Sequence, residues 1–188
     1  MSGEVPKVTV ALRAFCAVVV CLLVTPAWAQ TEGETTVILV RHAEKLLTGG
    51  DVELSPPGRE RAQALVGVVA HAGVDVTIAS KYKRTRQTLE PTASALDLTL
   101  LEATEPQEVV REILTAHRGK TILVAGHSNT VPQIVERLGA PSLCPPFEVD
   151  ERRGCMIPDP EYHHLFVVEV PTEGPATVIR ASYGKPSG

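Results

Sequence analysis

The chain has 188 residues, 44% of them hydrophobic, and a formal net charge of −4. That length and apolar content suit one domain with a full core, and the charge is too moderate for a disordered chain. A mildly acidic balance also argues against nucleic acid or an anionic membrane as partner, since either calls for a basic face.

Lys7 and Arg13 precede an unbroken apolar stretch, Ala14 to Val24, and then Thr25-Pro26-Ala27-Trp28-Ala29. This is the layout of an export signal, with Ala27-Trp28-Ala29 fitting the small-x-small rule for cleavage before Gln30. The stretch is shorter than the roughly 20 apolar residues that span a bilayer. Phe15 and Val20, standing before Cys16 and Cys21, do not suit a lipoprotein. Residues 1–29 are therefore expected to be a signal peptide and residues 30–188 a single domain, periplasmic or extracellular and without stable membrane contact after cleavage. An uncleaved N-terminal anchor would leave the domain in the same compartment. Losing Lys7, Arg13 and Glu4 changes the balance from 18 basic against 22 acidic side chains to 16 against 21. Cys16 and Cys21 leave as well, and Cys144 and Cys155 remain. In an oxidising compartment that pair is expected to form a disulfide closing a small loop. Two free thiols are the alternative, and no second ligand pair supports a metal site.

Along the mature chain, Thr35 to Val40 reads as a strand, and Thr48 to Pro57 as a loop rich in turn residues. A helix follows: Pro57 suits its first turn, and Ala62, Leu65, Val66, Val69 and Ala70 recur at helical spacing up to Gly73. Val74 to Ala79 is a second strand. Thr85 to Leu96 is a helix, with Pro91 a flaw in its pattern, and Leu98 to Leu101 is a short strand. Glu108 to His117 is an amphipathic helix stopped by Gly119, and Thr121 to Ala125 is a buried strand. Val131 to Leu138 is helical. Pro141 to Pro160 is a proline-rich excursion without helix or strand periodicity, and its length suggests a functional loop. Leu165 to Val170 and Thr177 to Ala181 close the chain as a hairpin. Strands alternating with helices predict an α/β fold, a three-layer αβα sandwich on a largely parallel central sheet.

In such a sheet, ligands bind beyond the carboxyl ends of the strands. Arg41-His42 ends the first strand, the cluster Lys81, Lys83, Arg84 and Arg86 follows the second, and His127 follows Gly126 at the end of the 121–125 run. Three strands thus deliver basic and imidazole groups to one rim.

Four segments, in order, resemble the histidine phosphatase superfamily. Val40-Arg41-His42-Ala43-Glu44-Lys45 is similar to its Arg-His-Gly signature, with Ala43 in place of glycine. Leu54-Ser55-Pro56-Pro57-Gly58-Arg59-Glu60-Arg61-Ala62 is similar to its Leu-Thr-x-x-Gly-x-x-Gln-Ala helix entry. Ser80 to Thr88 is similar to the segment that supplies a second arginine, here Arg84, and Gly126-His127-Ser128-Asn129-Thr130 to the segment with a second histidine. The resemblance implies that His42 is a nucleophile forming a phosphohistidine, with Arg41, Arg84 and His127 holding the phosphate. The acidic, glycine-containing stretch that carries the family's proton-donating glutamate has no counterpart here. Glu102 and Glu105 are the nearest candidates, with Glu44 as a third.

Phosphoryl transfer puts charge on three equatorial oxygens, so it needs a nucleophile among fixed positive donors. Neutral His42 has a lone pair that can attack phosphorus, and the two arginines offer planar forks to phosphate oxygens. Such a scheme requires no metal and no cofactor. Lys45 and Ser128 are further phosphate-contact candidates. Lys81 and Arg86 read as a solvated face, and His71 and His117 as structural histidines near helix C-termini. His163-His164 is a poor chelate if the two rings point to opposite faces of a strand.

The expected activity is that of an exported, metal-independent phosphatase acting on a small phosphorylated molecule. The rivals are a protein phosphohistidine phosphatase and a catalytically silent phosphate-binding module. Without a clear proton donor the balance moves toward a phosphohistidine or aryl phosphate, whose leaving groups depart easily.

Overall fold

The computed structural model describes residues 33–187, so the expected signal segment lies outside the described residues. A six-stranded sheet is built from β1 (Thr35–Arg41), β2 (Val76–Ala79), β3 (Leu100–Glu102), β4 (Thr121–Gly126), β7 (His164–Val170) and β8 (Thr177–Ser182), in the order β3-β2-β4-β1-β7-β8. The first four strands are mutually parallel, and β7 and β8 add antiparallel to the edge beside β1. This is the α/β architecture read from the alternation of elements.

Helices α1 (Pro56–Val69) and α2 (Lys83–Ala95) cover one face of the sheet, and α3 (Pro106–Ala116) and α4 (Thr130–Arg137) the other. The pleat explains the division. Along β1, Ile38 and Val40 pack with Leu65, Val69 and Leu89, whereas Val37 and Leu39 pack with Ile113, Val131 and Ile134. Period-2 strands that are apolar on both faces need a helix layer on each side. Each fully buried Leu or Ile adds about 1.5–3 kcal/mol. Pro91 lies inside α2, which runs through it. Burial of Leu89 and Ala93 on either side outweighs the missing N–H.

Two glycines allow elements to approach closely. A Cβ on Gly58 would stand 2.0 Å from the Glu44 carbonyl oxygen, so only glycine lets the start of α1 pass beneath the segment after β1. A Cβ on Gly126 would stand 2.8 Å from Thr130 Oγ1, where α4 begins.

The 141–160 segment differs from the sequence expectation. It carries a two-stranded hairpin, β5 (Glu148–Asp150) and β6 (Gly154–Met156), paired Glu148 with Met156 and Asp150 with Gly154. Three-residue strands leave no alternation to detect. The hairpin is held instead by a Cys144–Cys155 disulfide with Cα atoms 5.9 Å apart. A second difference concerns His163 and His164, whose ring centroids lie 4.3 Å apart. β7 starts at His164, so strand alternation does not separate the pair. Among the described residues no group of three or more His, Cys, Asp or Glu could hold a metal ion.

Candidate active site

The parallel β1–β4 register pairs Arg41 with Gly126, and the His42 N–H donates to the Gly126 carbonyl at 2.9 Å. His42 and His127, 85 positions apart in the chain, therefore leave neighbouring strand ends side by side. Their ring centroids are 5.5 Å apart, edge to face. α2 begins just beyond β2 and places Arg84 in its first turn, where a guanidinium N–H faces His127 Nδ1 at 3.5 Å. The Ala43 N–H donates to Thr88 Oγ1 at 2.9 Å, tying the end of β1 to the same helix.

Arg41, His42, Arg84 and His127 line one pocket of about 390 Å³, with Lys45, Glu105 and Ser128 on its walls. Nearly all the sequence candidates thus meet in one place. Glu102 does not line the pocket: its carboxylate faces Arg86 at 3.6 Å on the outer surface. Glu44 is also committed elsewhere. It forms a bidentate pair with the buried Arg61, with Nε to both carboxylate oxygens at 3.0 Å. Burial alone would raise the Glu44 carboxyl, but the hydrogen bonds and charge of Arg61 outweigh it and hold it below the ordinary carboxylate range. Arg61 also donates to the Tyr183 and Lys185 carbonyls at 2.9 and 2.8 Å, clamping the C-terminal segment beneath the site.

The hydrogen bonds define both imidazole tautomers. His42 Nδ1 stands 2.8 Å from the Ala43 carbonyl, which can only accept, so Nδ1 carries the proton and Nε2 keeps the lone pair. Arg84 can only donate, so His127 Nδ1 accepts, and its Nε2–H donates to Ser80 Oγ at 3.0 Å. Ser80 in turn donates to Thr85 Oγ1 at 2.7 Å. Burial pushes His42 down to about 3, and the charges of Arg41, His127 and Arg84 add to that against the opposing Ala43 hydrogen bond. Burial and the two arginines lower His127 to about 4. Both rings are neutral at physiological pH. Arg41 and Arg84 each keep a buried Nε without a partner. In a folded protein such donors call for an acceptor, and an oxyanion supplies several.

One contributor has no signature in the sequence. The 158–162 segment closes on Arg41: the Pro158 carbonyl accepts from Arg41 at 2.9 Å, the Asp159 carboxylate pairs with the same guanidinium, and the Tyr162 ring lies 4.3 Å from its central carbon. Tyr82 lies similarly 4.6 Å from the Arg84 guanidinium. An aromatic ring near each cation restrains it without occupying its N–H groups.

Two neutral imidazoles and two guanidinium groups converging at the carboxyl ends of a parallel sheet define an anion-handling site with an available nitrogen nucleophile. Residues 37–105 match the histidine phosphatase superfamily (branch 1). The matched segment carries Arg41, His42 and Arg84, and His127, outside it, reaches the site through the β1–β4 ladder. Among solved structures the chain is similar to the protein histidine phosphatase SixA complexed with tungstate, at 19% identity over 78% of this chain and 96% of that one, with a TM-score of 0.59. It is also similar to SixA from Nakamurella multipartitia (22%, 83% and 98%, TM-score 0.56). A third is a mycobacterial glucosyl-3-phosphoglycerate phosphatase (10%, 80% and 98%, TM-score 0.56). These likenesses establish the fold. No curated protein sequence matches the chain.

Proposed function

We propose that the chain is an exported phosphatase that hydrolyses phosphate monoesters of small molecules through a phosphohistidine on His42. The observation that carries this reading is the set Arg41, His42, Arg84 and His127 around one pocket, with His42 Nδ1 bound to the Ala43 carbonyl so that Nε2 is the nucleophilic nitrogen. Attack by Nε2 on phosphorus makes the N–P bond as the P–O bond to the leaving group breaks. Water then cleaves the N–P bond and restores the neutral imidazole. Arg41 and Arg84 hold the equatorial oxygens by charge-assisted hydrogen bonds, and their charge persists throughout the working pH range. His127 is neutral before substrate arrives. A bound dianion offsets the field of the two arginines and favours its protonation, adding one more charged donor.

The guanidinium groups supply the positive charge the transition state needs, so no metal enters the scheme. Export rests on the Lys7 to Ala29 pattern and is tested by the N-terminus of the secreted product, expected at Gln30. The enzyme reading predicts hydrolysis of 4-nitrophenyl phosphate that is inhibited by vanadate, survives chelator and is lost in His42→Ala. Phosphate binding without turnover in the wild type would instead make the chain a silent phosphate-binding module. Selective turnover of phosphohistidine peptides over small monoesters would favour a protein phosphohistidine phosphatase.

A further inference from the structure

Resting on that phosphatase reading, we infer that Asp159 is the proton donor to the leaving group. An alkoxide leaves badly without a proton, so hydrolysis of an alkyl phosphate requires an acid beside the bridging oxygen. Of the glutamates considered from the sequence, Glu102 faces Arg86 outside the pocket and Glu44 is engaged by Arg61. Glu105 lines the phosphate pocket only.

Asp159 differs in two respects. Its carboxylate already touches the guanidinium of Arg41, so it stands within one residue's reach of where the phosphate oxygens are held. It also lines a second cleft of about 330 Å³ that adjoins the phosphate pocket, the two sharing Ser128 and Asp159. A substrate with its phosphoryl group among the arginines and histidines and its remainder in that cleft carries its bridging oxygen past Asp159.

The ion pair with Arg41 is part of the mechanism. An arriving phosphate competes for the same N–H groups, leaving the Asp159 carboxylate beside phosphate oxygens. A carboxyl group beside the bridging oxygen is placed to pass a proton to the departing alcohol. In the first step the His42 Nε2 lone pair forms the N–P bond, and the electrons of the P–O bond pass to the leaving oxygen, which takes the Asp159 proton and departs as alcohol. In the second step the Asp159 carboxylate accepts a proton from water as the water oxygen attacks phosphorus. The N–P electrons return to Nε2, releasing phosphate and regenerating the acid.

The test compares glycerol phosphate with 4-nitrophenyl phosphate, whose leaving group departs without help, using protein expressed from the full-length chain. In Asp159→Asn, kcat/KM for glycerol phosphate should fall about 100-fold more than for the aryl ester, the low end of general-acid contributions. Asp159→Glu should recover part of the loss on glycerol phosphate. Glu105→Gln should leave the alkyl-to-aryl ratio unchanged. Equal losses on both substrates in Asp159→Asn, or a selective alkyl loss in Glu105→Gln, would overturn the assignment. So would a wild type that cleaves only the aryl ester. A wild type that cleaves neither and carries no phosphate on His42 would overturn the phosphatase reading as well. Asp159 is 74% exposed in its side chain, so the variants are expected to fold, and circular dichroism checks this.

Discussion

The pocket has two walls of unlike construction. His42 and His127 stand on adjacent ends of a parallel ladder, with His42 only 3% exposed and main-chain hydrogen bonds fixing each position. The other wall is where the 141–162 segment brings the exposed Asp159 to the pocket; that segment is closed by a disulfide and joined to the helix entry by the Ile157 N–H to Ser128 carbonyl bond at 2.9 Å. The first wall cannot shift without breaking the sheet. The second can yield to an arriving anion by exchanging one ion pair. Chemistry that depends on sub-ångström placement thus sits on strand ends, and contacts that must change during turnover sit on a loop.

The largest separation between the two walls should come from the support beneath the first. Arg61→Ala leaves the Glu44 carboxylate and two main-chain carbonyls without their donor, and unfolding experiments should show a loss of about 3–5 kcal/mol, as when one partner of a buried pair is removed. Arg84→Ala removes one oxyanion donor and should cost about 3–4 kcal/mol of transition-state stabilisation, read as kcat/KM on 4-nitrophenyl phosphate, while the melting temperature barely moves. On the loop wall, Cys144→Ser with Cys155→Ser should cost about 3 kcal/mol of stability, measured against the oxidised wild type. A loss of sheet-level cooperativity in that double variant would show that the two walls are not independent.

Taken per pH unit, the smallest expected effect is on pH dependence. An unfolded histidine takes up a proton near pH 6.5, whereas His42 and His127 in the fold remain neutral down to about 3 and 4. Between those limits the unfolded chain binds more protons, so stability falls as pH drops from 7 toward 4. Each buried histidine adds a slope of up to about 1.4 kcal/mol per pH unit. Denaturant titrations at pH 7, 6 and 5 should show the decline, and it should be shallower in His42→Gln. A slope of opposite sign would mean that these rings are charged in the fold.

The strand-end wall was legible in the sequence because a β-branched apolar run ending in a polar residue encodes both the strand and the point where it stops. Arg41-His42 and Gly126-His127 each carry that pattern, and Arg84 follows from the helix after β2. The loop wall was not legible. The 141–160 segment has no periodicity, and the role of Asp159 depends on a contact with Arg41 across 118 positions. Arg61 was hidden for a related reason: it reads as an ordinary helical surface residue until the C-terminal segment folds back over it. The misplacement of Glu102 shows the limit of choosing an acid by proximity in sequence. β3 carries it to the outer surface beside Arg86.

A phosphoramidate formed during turnover identifies the attacking side chain. Rapid alkaline quench of the enzyme turning over a radiolabelled phosphomonoester, followed by peptide mapping, should place acid-labile, base-stable phosphate on His42 in the wild type and none in His42→Ala. Turnover with no such label, or label on another side chain, would contradict nucleophilic attack by His42.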